Sequence, residues 1–213
     1  MKNSGLLIVL SGFAGSGKGT IMKKLTAAYP DRYALSVSAT TRSMRPGEAE
    51  GREYFFKTKE EFETMIRRKE LLEYATYVGN YYGTPKKYVE EQLSSGKHVL
   101  LEIEIQGAIQ ITQKFPDTLL LFVTPPSAKT LLDRMHERGT ESEEEIRARM
   151  KRAIEEAKGS DVYDYLIIND DLDQCVEQTN RIIENERCRM KYCLEDIYII
   201  EEDLKKYLKG EEL

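Results

Sequence analysis

A glycine-rich turn that contains one lysine is the strongest chemical signal in the sequence. Residues 11–20 read Ser-Gly-Phe-Ala-Gly-Ser-Gly-Lys-Gly-Thr and follow the apolar run 6–10. Glycines let such a turn curl tightly, so that successive backbone N–H groups point inward. A helix that starts at the turn adds partial positive charge, and Lys18 adds a full one. The pattern predicts a pocket for a triphosphate.

The order of a buried strand, this turn and a helix is the context that a P-loop requires. The helix is predicted over residues 19–29, where Pro30 and Asp31 end it. A glycine-rich strand–helix turn without a ligand is the alternative. The preceding strand and the run Gly-Lys-Gly-Thr favour the phosphate site.

Two arginines and two tyrosines are candidates for a second phosphate site. Arg42 and Arg45 lie three positions apart around a predicted turn, close enough to bind one phosphate together. Tyr54 and Tyr82 can add hydroxyl donors. The alternative is a pair of solvated surface arginines, and the P-loop makes that alternative the weaker one.

Two glutamates follow one another at alternate positions of an apolar run. Glu102 and Glu104 lie in residues 99–105, which read Val-Leu-Leu-Glu-Ile-Glu-Ile. If this run is a strand, both side chains project from one face. Two acids that are buried together need cations to offset the cost, and Lys18, Mg²⁺ or substrate amine groups would supply them. A solvent-exposed pair at a strand end is the alternative.

The elements that must position these residues alternate along the chain. Apolar runs at 6–10, 99–105, 119–123 and 166–168 are predicted central strands, and helical patterns lie between them. This alternation predicts an α/β fold around a mainly parallel sheet flanked by helices.

Two stretches interrupt this order. In the first, residues 38–96, Thr58 and Glu61 have capping-box spacing, and Thr84 precedes Pro85 as a hydroxyl cap of a helix that ends at residues 94–96. The second, residues 126–159, is charged and predicts a helical pair that buries little and can move. Residues 181–213 predict one or two helices that cover the core.

Composition excludes several classes of protein. The 213 residues are 40% hydrophobic and 32% charged, which is typical of a globular domain, and the net charge of −5 does not imply nucleic-acid binding. Three cysteines without paired spacing and only two histidines, His98 and His136, build no zinc pattern. The apolar run 6–10 is too short for a signal peptide or a membrane span. We expect a cytoplasmic protein that binds neither a membrane nor nucleic acid.

Several blocks of the sequence resemble guanylate kinases, in unbroken order from about residue 6 to residue 190. They include Ser-Ala-Thr-Thr-Arg-Ser-Met-Arg-Pro-Gly-Glu at 38–48, Gly-Arg-Glu-Tyr-Phe-Phe at 51–56, Gly-Asn-Tyr-Tyr-Gly-Thr at 79–84, Glu-Ile-Glu-Ile-Gln-Gly at 102–107, Arg-Gly-Thr-Glu at 138–141 and Tyr-Asp-Tyr-Leu-Ile-Ile-Asn at 163–169.

The resemblance implies a P-loop core with two inserts. The core comprises residues 1–37, 97–125 and 160–213, a small mixed insert at 38–96 binds GMP, and a helical lid occupies 126–159. The implied activity is transfer of the γ-phosphoryl group of ATP to GMP, with Mg²⁺, for GMP recycling in purine metabolism. The enzyme would also use dGMP. The oligomeric state stays open between monomer and homo-oligomer.

The resemblance also implies roles for individual residues. The ATP-binding set is Gly12, Phe13, Ala14, Gly15, Ser16, Gly17, Lys18, Gly19, Thr20 and Asn169, with Asn169 in the loop beside adenine. The residues on the GMP phosphate are Arg42, Arg45, Tyr54 and Tyr82, and those that read the guanine are Ser38, Glu73 and Thr84. Glu102 and Glu104 complete the predicted GMP-binding set. The residues over the transferring phosphates are Lys18, Arg45, Arg134, Arg138 and Arg149, where surface salt bridges are the alternative for each lid arginine.

The chemistry of guanine agrees with this assignment. Guanine presents N1–H and an exocyclic N–H₂ side by side, and one carboxylate such as Glu73 can accept from both. Adenine has an acceptor at N1 and would leave that carboxylate unpaired. Discrimination of this kind reaches about 10⁴-fold.

The sequence departs from the family at two points. Gly19 stands where Ser or Thr normally follows the lysine, so Thr20 contacts either Mg²⁺ or a phosphate oxygen. Glu102 and Glu104 stand where the family often has Asp, and which of them serves the metal and which the base stays open. We expect Mg²⁺ to be held mainly by ATP phosphates and water, near Thr20 and Glu102.

Two other functions compete with this one. Guanylate-kinase-like domains of scaffolding proteins keep the fold, lose the P-loop and bind peptides. The intact Lys18 and both acceptor-site arginines argue against such a module. A related kinase with AMP or a sugar phosphate as acceptor is the second alternative, and Ser38, Glu73 and Thr84 argue against it.

Overall fold

The computed structural model describes residues 5–77, 79–139 and 142–210. The strands are β1 (Leu7–Gly12), β2 (Tyr33–Leu35), β3 (Ser38–Thr40), β4 (Tyr54–Phe56), β5 (Leu71–Tyr77), β6 (Asn80–Pro85), β7 (His98–Glu102), β8 (Leu119–Thr124) and β9 (Tyr165–Ile168). The helices are α1 (Lys18–Ala28), α2 (Lys59–Arg67), α3 (Lys86–Ser94), α4 (Ile105–Lys114), α5 (Ala128–Arg138), α6 (Glu143–Lys158), α7 (Leu172–Glu186) and α8 (Met190–Leu208).

A five-stranded parallel sheet forms the centre of the fold. Its strand order is β2-β7-β1-β8-β9. The central strand β1 is apolar along most of its length because helices cover both faces, and Ile8, Val9 and Leu10 are fully buried. The α/β fold class is confirmed, as is the helix that follows the P-loop. All four predicted strands are present, but the strand predicted at 166–168 is β9, which lies at the edge of the sheet and not at its centre. The edge strand β2 was not predicted.

The second sheet belongs entirely to residues 38–85. Its order is β4-β3-β6-β5, with β3 parallel to β4 and antiparallel to β6. Helix α2 begins at the predicted capping box, in which Thr58 and Glu61 each bond the other's backbone N–H. Phe62 on this helix is fully buried against Ala39 and Leu71. This small core holds the second sheet together.

The predicted helical pair of residues 126–159 is present as α5 and α6, capped by Ser127 and Ser142. The expectation that it buries little is wrong. The pair shares a small apolar core with the P-loop, formed by Leu131, Met135, Ile146, Ala153, Leu132, Met150, Phe13 and Ala14. Apolar residues three and four positions apart on the two helices build this core among the charges.

Two local predictions are corrected. The strand predicted over 99–105 ends at Glu102, and Glu104 is already the N-cap of α4, so the two acids do not alternate on one strand face. Both are exposed rather than buried. Ala108 and Ile111 need a helical period to reach the core, which overrides the short alternating pattern. Thr84 is not a helix cap, because it lies inside β6 and α3 begins after Pro85.

The two C-terminal helices, α7 and α8, differ in how closely they pack against the core. Helix α7 begins nine residues before the predicted stretch 181–213 and buries Cys175, Val176 and Ile183 against the core; the predicted core coverage is confirmed at Ile183. For α8 the expectation of core coverage holds only at Tyr192, which is partly buried and packs against the core; none of the helix's residues, all of which are described, is fully buried. Among the described residues, no helix has both the length and the apolar character needed to cross a membrane.

Candidate active site

The P-loop lies at the carboxyl end of the central strand, between β1 and α1. Gly17 is the N-cap of α1 with φ 92°, a conformation that favours glycine. A β-carbon at Gly17 would lie 2.3 Å from Asn169 Nδ2, so a side chain there would have to displace that amide. Lys18 Nζ donates to the carbonyl oxygens of Gly12 (2.8 Å) and Phe13 (3.1 Å), which places its charge over the turn.

Asn169 connects the P-loop to the lid. Its side-chain amide donates to Ser16 O at 2.8 Å, and its backbone carbonyl accepts from Arg134 NH2 at 2.9 Å. The P-loop, the lid helix α5 and the loop between β9 and α7 line one cavity of about 380 Å³. Its lining residues are Gly15, Gly17, Thr20, Arg134, Glu137, Asn169, Asp170 and Leu172. This cavity is the candidate donor site.

Two buried polar atoms around this cavity lack partners. Within the described part of the chain, Arg134 NH1 and Ser16 Oγ have no hydrogen-bond partner although both are buried. Buried donors are rarely left unpaired, because desolvation without a hydrogen bond costs about 1–3 kcal/mol. An anionic ligand with many oxygens would satisfy them, which fits a nucleotide phosphate.

A cleft of about 600 Å³ lies between the P-loop helix and the second sheet. It is lined by Gly19, Lys23, Leu35, Ser36, Ser38, Arg52, Glu53, Tyr54, Glu73, Ala75, Tyr82, Gly83, Glu102, Ile103, Glu104 and Gly107. The structure therefore brings the start of α1 and six of the nine residues predicted for the acceptor into one space. This cleft is the candidate acceptor site.

Glu73 is the most unusual acid of this cleft. It lies on β5 with only 4% of its surface exposed, and Thr84 Oγ1 donates to its Oε1 at 2.6 Å. Burial raises the pKa of the Glu73 carboxyl, and the hydrogen bond from Thr84 opposes that rise. A β-carbon at Gly107 would lie 2.9 Å from Glu73 Oε2, so glycine there leaves the carboxylate its space.

Arg42 lies behind the ring of Tyr54. Its guanidinium is 5.3 Å from the centre of that ring and binds Glu48 through two hydrogen bonds, of 3.0 and 2.8 Å. Glu48 also accepts from the backbone N–H of Arg45 at 2.8 Å. The hydrogen bonds from Arg42 are the main reason why the pKa of Glu48 is lowered. Arg42 is largely buried, whereas the side chain of Arg45 is exposed.

Glu102 and Glu104, the two predicted acids, lie close to different parts of the structure. Glu102 Oε2 would lie 3.3 Å from a β-carbon at Gly19, so Glu102 approaches the start of α1. The carboxylate of Glu104 is paired with Arg152 of the lid helix α6, and Arg152 Nε also donates to Glu156 at 3.0 Å. Burial raises the pKa of the Glu156 carboxyl, and Arg152 opposes that rise.

Some site residues were missed by sequence reasoning. Arg152 and Glu156 carry no motif of their own, and the only available signal was their four-residue spacing on one helix. Glu48 and Gly107 lay inside blocks quoted from the sequence, but no role followed from their positions. Of the predicted lid arginines, Arg134 lines the donor cavity, Arg149 is half-buried, and the side chain of Arg138 lies outside the described residues.

No group of three or more His, Cys, Asp or Glu residues that could hold a metal ion occurs in the described residues. Thr20 lines the donor cavity, and Glu102 approaches the start of α1.

Comparison with known proteins identifies the family. The profile described as guanylate kinase matches residues 4–186. A guanylate kinase of Desulfitobacterium hafniense is 49% identical over 190 residues, which is 89% of this chain and 94% of that protein. One of Lactococcus lactis subsp. lactis is 46% identical over 205 residues, covering 96% of this chain and 100% of its own. The crystal structure of guanylate kinase from Anaplasma phagocytophilum superposes with a TM-score of 0.70 at 32% identity, covering 87% of this chain and 88% of that one. With a P-loop at the start of α1 and a buried acid across the cleft from it, the chain belongs to the guanylate kinase family.

Proposed function

We propose that this protein transfers the γ-phosphoryl group of ATP to GMP, giving ADP and GDP, with the residue roles described below. The observation that carries the proposal is the buried Glu73, which accepts a hydrogen bond from Thr84 and lines one cleft with Gly19 at the start of the P-loop helix. A cytoplasmic location would supply both nucleotides and keep the three free cysteines reduced.

Glu73 is the residue we assign to guanine. Its pair of oxygens can accept from N1–H and the exocyclic N–H₂, while Thr84 keeps Oε1 oriented from the other side. Adenine offers no N1–H and would leave a buried carboxylate with too few donors, at a cost of about 1–3 kcal/mol or more. Ser38, on the neighbouring strand β3, lines the same cleft and can add a further hydrogen bond. The residues assigned to guanine recognise the base and not the ribose 2′-hydroxyl, so we propose dGMP as a second acceptor.

The phosphate of GMP is assigned to Arg42, Arg45, Tyr54 and Tyr82. The rings of Tyr54 and Tyr82 are 5.9 Å apart at the cleft, and Arg42 lies directly behind Tyr54. The side chain of Arg45 is exposed, and its backbone N–H donates to Glu48, so the guanidinium can reorient towards a phosphate. Guanidinium and phenol donors together hold a phosphate in one orientation.

No general base is required for this reaction. The attacking atom is an anionic oxygen of the GMP phosphate, so the protein must hold two anions in line while charge spreads over the transferring group. Lys18, Arg45, Arg134, Arg138 and Arg149 are the side chains we assign to that task. Mg²⁺, held by ATP phosphates, water and the oxygens of Thr20 or Glu102, supplies further charge neutralisation when bound.

We also propose that residues 38–96 and 126–159 close over the two substrates. Closure would exclude water, which otherwise competes for the phosphoryl group. Small-angle scattering should show a smaller radius of gyration with GMP and a non-hydrolysable ATP analogue together than with neither. An unchanged radius at saturating concentrations of both would contradict closure.

An ADP-release assay with GMP, dGMP, AMP or no acceptor tests the function. We expect turnover with GMP and dGMP, and kcat/KM at least about 10³-fold lower with AMP. Lys18→Ala should lower kcat by about 10³-fold, because it removes a charge at the transferring phosphate. Lys24→Ala is the matched control, since Lys24 is exposed on the same helix and pairs with Asp173.

Two outcomes would overturn the proposal. Equal kcat/KM for AMP and GMP would remove the assignment of guanine as the recognised base. Absence of ADP release with every acceptor would favour a peptide-binding module over an enzyme.

A further inference from the structure

We propose that α8 is a self-association element, which packs along α8 of a second copy of this chain. The proposal is independent of the phosphotransfer activity. It begins from a helix of 19 residues, all of them described, in which none is buried.

Helix α8 carries nine of the seventeen exposed large apolar residues in the described part of the chain. Nine of its large apolar residues are between 40% and 83% exposed. They are Met190, Leu194, Ile197, Tyr198, Ile199, Ile200, Leu204, Tyr207 and Leu208. A solvated helix normally carries such residues singly, whereas a helix that is apolar on a continuous face is covered by a partner.

The spacing of these residues is that of a helix–helix seam. Met190, Cys193, Ile197, Ile200, Leu204 and Tyr207 are separated alternately by three and four positions. This is the a/d pattern of a coiled coil, in which each side chain inserts between residues of a facing helix. Leu194 and Leu208 lie beside the seam and widen it. The stripe therefore fits another helix rather than a flat surface.

The exposed area matches what a stable dimer needs. With about 200 Å² for a large apolar residue, the seven large apolar residues on or beside the seam expose roughly 800 Å². The largest apolar patch of a typical monomer is about 300–600 Å². A specific interface buries about 800 Å² on each partner. One α8 stripe covered by another reaches this value.

The apolar stripe of α8, rather than its charge, argues for an identical helix as the partner. Ion pairs within the helix neutralise part of the charge beside the last two turns of the stripe, because Lys205 pairs with Glu201 at 2.8 Å and Lys206 pairs with Asp203 at 3.0 Å. A second copy supplies an apolar stripe of the same length, since a two-fold interface uses the same surface on both sides.

The position of α8 keeps such a dimer away from the chemistry. Its first turn is tied to the loop before β8, where Lys191 Nζ and Tyr192 Oη bond the side chain and backbone of Asp117. Strand β8 is parallel to β1, so this loop lies at the opposite edge of the sheet from the P-loop. Dimerisation through α8 should leave kcat unchanged.

The oligomeric state of the full chain tests the proposal. Light scattering coupled to size exclusion, from low to high micromolar concentration, should approach twice the 24.6 kDa mass of the chain. The double substitution Ile197→Glu with Ile200→Glu places charges in the seam and should weaken the dimer at least about 100-fold. The matched control is Tyr198→Glu with Ile199→Glu, which adds the same charges to the same helix outside the seam and should leave the dimer intact.

Activity with GMP identifies variants that have failed to fold, because α8 contributes nothing to the cleft and all three proteins should keep kcat within about twofold. A wild-type chain that is monomeric across the whole range would overturn the proposal. A seam variant that remains dimeric would overturn it as well, as would a control that dissociates as readily as the seam variant.

Discussion

Thr84 donates a hydrogen bond of 2.6 Å to Glu73, at a place where 4% of the glutamate and none of the threonine is exposed. Such a buried carboxylate can accept further hydrogen bonds, which a bound ligand would donate. Its pKa is raised by burial, so the folded protein without ligand disfavours the charged form. The residue assigned to substrate recognition is thereby a source of instability in the empty enzyme.

Substitution Glu73→Gln should separate recognition from stability. We expect kcat/KM for GMP to fall at least about 100-fold, because an amide cannot accept from both guanine donors. The folded pKa of Glu73 is raised, so its ionisation lowers stability as pH rises above the ordinary carboxyl value, and the variant should unfold at a higher temperature than wild type near neutral pH. A gain of about 1 kcal/mol would raise Tm by about 2–4 °C.

Calorimetry at acid and neutral pH measures this difference, and Glu70→Gln, an exposed acid beside β5, is the control. A variant less stable than wild type at neutral pH would contradict the strain assigned to the carboxylate.

Substitution Glu48→Gln should misplace Arg42. The change removes the charge that holds the guanidinium through two hydrogen bonds, so KM for GMP should rise about tenfold or more while kcat changes less. The control is Glu50→Gln, since Glu50 is an exposed acid of the same loop that contacts Lys57 and Phe56 instead. Steady-state kinetics distinguishes the alternatives, because a lower KM would mean that Glu48 competes with the phosphate for Arg42.

Substitution Arg152→Ala should loosen the lid of the empty enzyme. Arg152 joins Glu104 at the start of α4 to Glu156 on α6, and its loss leaves the half-buried Glu156 without that cation. We expect faster amide hydrogen exchange in α6 and little change in β1. Lys151→Ala alters the neighbouring exposed residue of the same helix and should leave exchange unchanged. Identical protection of α6 in wild type and Arg152→Ala would show that the bridge does not hold the lid.

His98 should make the protein sensitive to acid. It is buried, accepts a hydrogen bond from the backbone of Leu6 through Nδ1, and burial is the main cause that lowers its pKa from 6.5 to about 4. Because the unfolded chain binds this proton first, stability is lost as pH falls from 6.5 towards 4, by up to about 3 kcal/mol.

Urea unfolding across this range should show a smaller acid-dependent loss for His98→Gln than for wild type. His136→Gln changes the other, exposed histidine and should behave as wild type. Equal slopes for wild type and His98→Gln would contradict the effect.

The parts of the fold that the sequence could predict are those with one strong local cause. Strand β1 and helix α1 follow from an apolar run, a glycine turn and a helical period in direct succession. The three-residue strand β2 has too little pattern of its own and depends on pairing with β7. Glu104 was placed on a strand because the alternation of residues 99–105 satisfies a strand locally, whereas the core selects a helix from Ile105 onwards.

The candidate site shows the same division. Lys18 and the glycines around it are neighbours in sequence, so their common role was visible. The pair Glu73–Thr84 spans 11 positions and needs the register between β5 and β6, which shifts between Leu71 and Tyr74. Such a register depends on tertiary packing. The contact between Arg152 and Glu104 spans 48 positions and has no local signature at all.

Asn169 Nδ2 lies 2.3 Å from the place that a β-carbon at Gly17 would occupy, so the two positions, remote in sequence, constrain each other in evolution. A larger residue at position 17 would displace the amide of Asn169, which then no longer donates to the Ser16 carbonyl. In a homologue that loses the activity, substitutions at positions 17 and 169 are therefore expected together. Among homologous proteins, replacement of both residues would indicate loss of phosphoryl transfer. Retention of both would indicate continued selection for it.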